Sequence, residues 1–370
     1  MQTDLHTANH HNLSPPESFF RLRAFPLVKI VKGVNLTKAA IVFPIPRPRG
    51  MTAYIVISFG QMVSMIGSAM TSFALGVWAW ELTGQATALV LVAVFSAVPL
   101  VLFSPIAGAL VDRQHNKKWV MMISDLASAL VTFAYLLISS AGQLQIWHLY
   151  AGAAFVGCFS SFQWPAYTAA TALMLPQAQY SRASGISSLV SVGSGLLAPL
   201  LAGTLFSLIG LPGIFLIDLT TFGVAILTLL WILLPSSPGV STAAFQINGL
   251  WSEAWAGLRY LLARPNLLGV QFIFSIGNFF FNLSGILITP MILARTNTNT
   301  VILGLVASSA SVGALLGGLL MSAWKGPKRK IHGILSGWLA LGLVSVLPYS
   351  TNAGLPVWMA ASMFSAFIPT

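Results

Sequence analysis

Long apolar runs broken by short polar punctuation set the pattern of this chain. As a helix, a run needs roughly 20 mostly apolar residues to cross a hydrocarbon core about 30 Å thick. Ten runs are predicted as spans: Thr52–Trp80, Thr87–Leu110, Trp119–Ser140, Ile146–Leu173, Gly185–Ile209, Gly213–Leu234, Leu267–Leu293, Val301–Met321, Ile331–Tyr349 and Leu355–Pro369. The last holds only about 15 residues, short for a crossing. The expectation is an all-α polytopic membrane protein of about nine complete spans plus a partial tenth.

The punctuation is mostly brief. Glu81 to Gly84, Gly210 to Gly213 and Ser350 to Gly354 read as turns by composition, so the spans they join should run antiparallel. One interior connection is long, from Pro235 to about Asn266, and it separates six spans from four. Within it Leu250, Ala254, Leu258 and Leu261 fall on one helical face, which predicts an amphipathic helix lying on the membrane surface. The expected organisation is a tail over 1–50, a six-helix half over 51–235, a central connection over 236–266 and a second, incomplete half over 267–370.

Composition agrees with a bilayer as the solvent. The 370 residues are 56% hydrophobic and 7% charged, far below the quarter or so of charged residues in soluble domains. A cytosolic globular enzyme and a disordered chain are excluded on that ground. The single cysteine, Cys158, excludes a disulfide framework and a cysteine-built metal site. A net charge of +11 suggests nucleic acid until its placement is read. Arg21, Arg23, Lys29, Lys32, Lys38, Arg47 and Arg49 lie in the tail; Arg113, Lys117 and Lys118 follow the second span; Arg182 follows the fourth. Arg259 and Arg264 lie in the central connection, and Lys325, Lys328, Arg329 and Lys330 follow the eighth span. Every basic residue except Arg295 therefore falls on one side, which predicts a cytoplasmic N-terminus and makes the charge a topology signal, not a nucleic-acid site.

The tail differs from the rest. Ala24–Pro44 is moderately apolar, but Lys29, Lys32 and Lys38 interrupt it, so it should not span. No small-residue cleavage site follows an apolar run, so it is not a signal peptide. A disordered or surface-lying basic tail is expected, with Met51 as a candidate natural start.

Six spans, a central connection and a second set resemble the major facilitator superfamily, whose members have two pseudo-symmetric six-helix halves. The second-to-third loop carries the closest likeness. Gly108, Asp112, Arg113, Lys117 and Lys118 match the family's loop signature, while His115 and Asn116 depart from its usual Gly and Arg. In the fifth span Gly185, Ser194, Ala198, Pro199, Ala202 and Gly203 resemble the family's antiporter signature, three intact and three replaced by other small residues. Small residues let helices approach closely, and proline bends one of them; generic helix packing is the alternative reading. Phe59 to Gln61, Phe73 to Trp78, Ser104 to Leu110, Trp164 to Ala166 and Trp251 to Tyr260 are similar to the macrolide and siderophore exporter branch. The likeness covers about Thr52 to Thr370, and against the family's twelve helices it stops within the tenth. A faint repeat supports two halves: Gly60 and Gln61 recur as Gly277 and Asn278, and Gly108 as Gly318, with Ser322 where the first copy has Asp112.

Polar stripes on spans should face an interior, because a polar group facing lipid is expensive. Gln61, Ser64, Ser68 and Thr71 share one face of the first span; Ser160, Trp164, Tyr167 and Thr171 share one face of the fourth, with Gln163 beside them; Gln271, Ser275, Asn278 and Asn282 share one face of the seventh. In the family these three helices line the central cavity. The resemblance thus implies a substrate cavity built from Gln61, Ser64, Ser68, Gln163, Trp164, Tyr167, Gln271, Asn278 and Asn282. Hydrogen bonding between helices, without substrate, is the alternative. The loop residues Gly108, Asp112, Arg113, Lys117 and Lys118 would act as the gating loop that latches the two halves.

Asp125 and Asp218 are the acidic residues well inside spans, and an intramembrane carboxylate is a candidate proton carrier. Asp125 lies about 9 Å from the cytoplasmic end at 1.5 Å per residue, so pairing with Arg113 or Lys118 is the competing expectation. Asp218 is expected near the outer end, within reach of headgroup water. Span four lacks the buried arginine that many proton-coupled drug exporters carry.

No phosphate-binding Gly-x4-Gly-Lys signature occurs, so no nucleotide is expected. His10 and His11 lie in the tail and His148 opens the fourth span, none with metal-ligand company, so no metal is expected. No nucleophile–base constellation is visible, so no enzyme and no cofactor are expected. The resemblance implies a secondary exporter in the bacterial inner membrane, moving small amphipathic compounds out of the cytoplasm by alternating access with protons as the coupling ion. The alternative is a truncated, transport-inactive membrane protein derived from such an exporter.

Overall fold

The structure, a computed structural model, describes residues 48–234, 259–260, 262–323, 336–344, 349 and 354–367. The tail before residue 48, most of the amphipathic segment from Leu250 and the basic run Lys325–Lys330 lie outside them. Eight α-helices carry the described chain. They are α1 (Gly50–Thr83), α2 (Ala86–Arg113), α3 (Lys117–Ser140), α4 (Ile146–Met174), α5 (Tyr180–Trp231), α6 (Pro265–Arg295), α7 (Thr300–Ala323) and α8 (Leu355–Phe367). Residues 336–344 are helical as well, and Gln177–Gln179 forms one 3-10 turn.

The punctuation works as its chemistry requires. Gly84 closes α1 in the left-handed conformation (φ 61°), its N–H bonded to the carbonyl of Trp80 at 2.8 Å. His148 helps to open α4, its Nδ1 accepting from the Gln145 backbone N–H at 3.0 Å. This accounts for a histidine at a span entrance without any ligand role.

Gly210 is the one non-helical residue inside the 52 residues of α5, at φ 63° and ψ −172°, two positions before Pro212. The neighbours of α1 show what happens there. The Tyr54 hydroxyl donates to the carbonyl of Ala183 at 2.9 Å, early in α5. Gly60 lies against Thr228 and Gly67 against Thr221, late in α5. Both ends of α5 therefore flank the same half of α1, and the chain reverses at Gly210. The two arms, 180–209 and 211–231, are the expected fifth and sixth spans joined by the expected turn.

Six helices among the described residues are long and apolar enough to cross a membrane, with Gln177–Trp231 counted as one. Leu355–Phe367 has 13 residues. The expected count of nine complete spans and a partial tenth is therefore not confirmed, whereas the all-α membrane architecture is. Large apolar side chains such as Leu208, Leu339 and Leu102 point outward at 77%, 68% and 66% exposure, the arrangement lipid favours.

Helices in lipid associate through close packing and hydrogen bonds, because lipid tails are as apolar as leucine. Backbone contact accordingly marks the seams. Gly157 of α4 lies against the carbonyl of Ser96 in α2. Gly203 of α5 and Gly304 of α7 face each other so closely that a Cβ on either would stand 2.5 Å from a carbonyl oxygen of the other helix. On the opposite flank of α7, Gly313 and Gly317 meet the carbonyls of Met363 and Phe367 in α8. Those pairs advance together along the chain, so α7 and α8 run parallel.

Candidate functional site

Two buried carboxylates tie together α1, α3, α4 and the second arm of α5, and α1 touches both. Asp125 of α3 is 5% exposed. Its Oδ2 accepts from Gln61 Nε2 of α1 at 3.0 Å, and its Oδ1 from Gln163 Nε2 of α4 at 3.0 Å. Gln163 Nε2 also donates to Gln61 Oε1 at 2.9 Å, which closes a ring of three side chains from three helices. Gln163 Oε1 is buried and has no partner. The ring corrects the expectation that Asp125 pairs with the basic loop. Lys118 instead donates to the carbonyls of Leu230 and Ile232, at 3.1 and 2.9 Å.

Asp218, on the second arm of α5, is 1% exposed. Thr71 of α1 and Thr132 of α3 donate to its Oδ2 at 2.8 and 3.0 Å, and Ser68 of α1 donates to its Oδ1 at 3.3 Å. The expected reach to headgroup water is thereby corrected. Asp218 is eight residues past the break at Gly210, about 12 Å along the arm, and hydroxyls from two helices close over it. Gly67 makes room for it, since a Cβ there would stand 2.8 Å from Oδ1.

A third polar node lies one turn from the Asp125 ring. Tyr167 of α4 bonds the hydroxyls of Ser58 and Tyr54 at 2.9 and 3.1 Å, and Tyr54 bonds Ser187 of α5 at 2.7 Å. Trp164, next to Gln163, is 69% exposed, and its ring stacks toward Tyr167 with centroids 6.1 Å apart. Ser64 is buried. The α6 residues stand apart from these nodes: Gln271, Asn278 and Asn282 are exposed, and the two asparagine amides donate back to Phe274 and Asn278 carbonyls of their own helix.

An apolar cavity of about 720 Å³ lies between α6 and the side chains of Trp338, Leu341 and Tyr349, with Ile276, Phe280, Phe281 and Met291 in its α6 wall. A smaller cleft of about 330 Å³, with Ser72 and Phe73 of α1, Val92 of α2 and Ile286 and Thr289 of α6 in its wall, lies where α1, α2 and α6 meet. These walls are a different set from the expected cavity residues, though Asn278 and Asn282 neighbour Gly277 and Phe281 in the chain.

The loop between α2 and α3 exposes Asp112 and Arg113 and buries Lys117, whose ammonium donates to the carbonyls of Val111 and Asp112. A cation at the end of α2 suits the partial negative charge there. Gly108 has open space around it. The fifth-span set divides in two. Gly185 is exposed, whereas Ser194, Ala198, Ala202 and Gly203 are buried, with Pro199 against Gly304. Thr300 of α7 donates to the Gly203 carbonyl at 2.8 Å, and Ser308 to the Leu196 carbonyl at 2.8 Å. Sequence reasoning missed these partners, although Gly304, Ser308 and Ser311 already spell a small-residue face.

The sequence profile of the Major Facilitator Superfamily matches residues 57–369. Macrolide efflux protein A of Streptococcus pyogenes is 25% identical over 284 residues, covering 77% of this chain and 69% of that protein. A protein of the same name from Enterococcus faecalis is 24% identical over 246 residues, covering 66% and 75%. Among solved structures, a mutant of the nucleoside transporter NupG has a TM-score of 0.63 at 13% identity, covering 86% of this chain and 79% of its own. The inward-facing, unoccupied bacterial homologue of the human lysosomal transporter Spinster has a TM-score of 0.57 at 16% identity, covering 85% and 73%. These structures share the fold. With most of its length matched by the family profile, the chain belongs to the major facilitator superfamily of multi-pass membrane transporters.

Proposed function

We propose that this transporter is a secondary exporter that carries small amphipathic compounds out of the cytoplasm by alternating access, driven by proton influx. The observation that carries the reading is the 25% identity over 284 residues to a protein named for macrolide efflux. The placement of basic residues supports a cytoplasmic N-terminus, and a bacterial inner membrane fits the bacterial relatives.

The proposed division of labour follows the chemistry of each group. Trp164, Tyr167, Gln271, Asn278 and Asn282 offer aromatic surface and a few amides to a substrate, the combination that suits an adaptable pocket. Gln61 and Gln163 bond Asp125, and Ser68 bonds Asp218; these two acids are the proposed proton carriers, and Ser64 lies on the same face of α1. Gly108, Asp112, Arg113, Lys117 and Lys118 form the gating loop. Gly185, Ser194, Ala198, Pro199, Ala202 and Gly203 form the joint at which the first half meets the second.

The test is dye and macrolide efflux from a pump-deficient bacterium expressing the 370-residue chain, with and without a protonophore. Efflux that the protonophore abolishes is expected. Absence of efflux from protein shown to be in the membrane overturns the exporter reading, and efflux indifferent to the protonophore overturns the proton coupling.

A further inference from the structure

The first turn of α4 is closed by a histidine that serves as an acceptor. The Gln145 backbone N–H donates to Nδ1 of His148 at 3.0 Å, and the His148 backbone N–H donates to the Gln145 carbonyl at 3.0 Å. Trp147 Nε1 donates to the Gln145 side-chain oxygen at 2.9 Å, and its ring lies 3.8 Å from the imidazole, centroid to centroid. Tyr135 of α3 reaches the carbonyls of His148 and Leu149 at 3.4 and 3.3 Å. Gly152 makes room for it, since a Cβ there would overlap the Tyr135 hydroxyl. A capping box ordinarily uses Glu or Gln at this third helical position. Histidine does the same work with an atom that a proton can occupy.

We propose that His148 is an acid-sensitive cap, and that a proton on its Nδ1 releases the first turn of α4. Nδ1 accepts only through a bare lone pair, so the capping ring is neutral and carries its hydrogen on Nε2. A proton on Nδ1 makes both ring nitrogens donors, and the Gln145 N–H then faces another N–H. The imidazolium charge also stands at the positive end of the helix dipole, which opposes it. Both effects have one sign. The cap stands where histidine is neutral and is lost as the pH falls through the range of about 8 to 5 in which histidines gain their charge. One proton is taken up, one N–H bond forms, and one hydrogen bond is lost. With the cytoplasmic N-terminus proposed above, this end of α4 faces the outside, so the proton that loosens it is an external one. The helix it loosens carries Gln163, Trp164 and Tyr167 further along.

Among the described residues no charged group bonds the ring. His148 is half-buried, and its Nε2 has no partner among them. The packed helix α2 carries no titratable residue from Ala86 to Val111, and Tyr150 of α4 stacks on its Phe95 at 5.2 Å. The α3 helix presents Tyr135, whose hydroxyl is engaged with the two carbonyls. The second arm of α5 meets Tyr135 through Phe215, and its one acid, Asp218, is held by Ser68, Thr71 and Thr132. Toward this end α1 carries Glu81, in its last turn, which makes no bond to His148.

The inference goes beyond the exporter reading and uses it only to name the side from which the proton comes. The experiment is hydrogen–deuterium exchange of the purified full chain in lipid nanodiscs, read on peptides spanning Gln145–Leu149 from about pH 8 to pH 5 and corrected for the intrinsic pH dependence of exchange. In the native protein these amides should lose protection by roughly fivefold on acidification, the change that a lost cap of ordinary strength gives. His148→Gln keeps an acceptor at every pH, so its protection should stay level across the range. His148→Ala should be unprotected throughout; where that variant fails to fold, the native protein and His148→Gln decide. Peptides over Gly304–Gly313 of α7 are the reference and should show no step. Native protection that does not change with pH, or the same acid loss in His148→Gln, overturns the proposal. Both faces of a nanodisc meet one buffer, so the cap is read whichever way the chain sits. A protein that loosens as expected but fails to export leaves the cap standing and removes only the exporter reading.

Discussion

The hydroxyl of Thr300 donates to the carbonyl oxygen of Gly203 at 2.8 Å, across a seam with no Cβ on either glycine side. At this point α5 and α7 touch through their backbones. Gly304→Leu should therefore force the helices apart, at a cost of about 1–3 kcal/mol or more for overpacking. A lowered melting temperature in detergent and reduced yield of monodisperse protein are expected. Ser308→Ala, which removes only one interhelical bond, should cost about 0.6 kcal/mol. Equal losses from the two variants would show that the close approach is not what matters.

Asp218 makes a sharper stability prediction. Three hydroxyl donors converge on it, so Asp218→Leu strands them in a buried site at about 1–3 kcal/mol. Asp218→Asn keeps an acceptor, and the hydroxyls rotate to suit its amide, so its thermal midpoint should stay near the native one. Thermal unfolding of both purified variants checks the order.

Lys118 should contribute through the end of α5 as much as through topology. Its ammonium reaches the carbonyls of Leu230 and Ile232, where a helix C-terminus carries partial negative charge. Lys118→Met should lose about 0.5–1.5 kcal/mol of stability. Lys118→Arg should restore most of it, and a difference scan of the three proteins at fixed salt reads the result.

Trp164 is 69% exposed, with the Tyr167 ring beside it, so Trp164→Ala should lower the melting temperature only slightly. Under the exporter reading it should weaken binding of a fluorescent macrolide several-fold. A large stability loss with unchanged binding would assign the ring to structure instead.

Much of the fold was legible because apolar run length and turn chemistry act locally. Gly210 to Gly213 was read as a turn, and the chain reverses there through a left-handed glycine. The polar stripe Gln61, Ser64, Ser68 and Thr71 was read as one inward face, and three of those four residues bond buried carboxylates. What the stripe could not reveal was its partners. Which residues of α3, α4 and α5 meet Gln61 or Thr71 depends on how each helix is rotated and how deep it sits, and neither is encoded in spacing along one helix. Asp218 was expected to reach headgroup water for the same reason, because the hydroxyls of Ser68, Thr71 and Thr132 that bury it belong to α1 and α3. The partners of the fifth-span signature lay in Thr300 and Gly304, a hundred residues away in sequence.

One feature of α1 reaches further than any single bond. Gln61 holds one carboxylate and Ser68 with Thr71 holds the other, two to three turns along the same helix. A helix is stiff over that distance, about 10–15 Å at 1.5 Å per residue. The two acids are thus mounted on a common shaft. A rotation of α1 that loosens one grip turns the other through the same angle, so neither acid can change its surroundings in private.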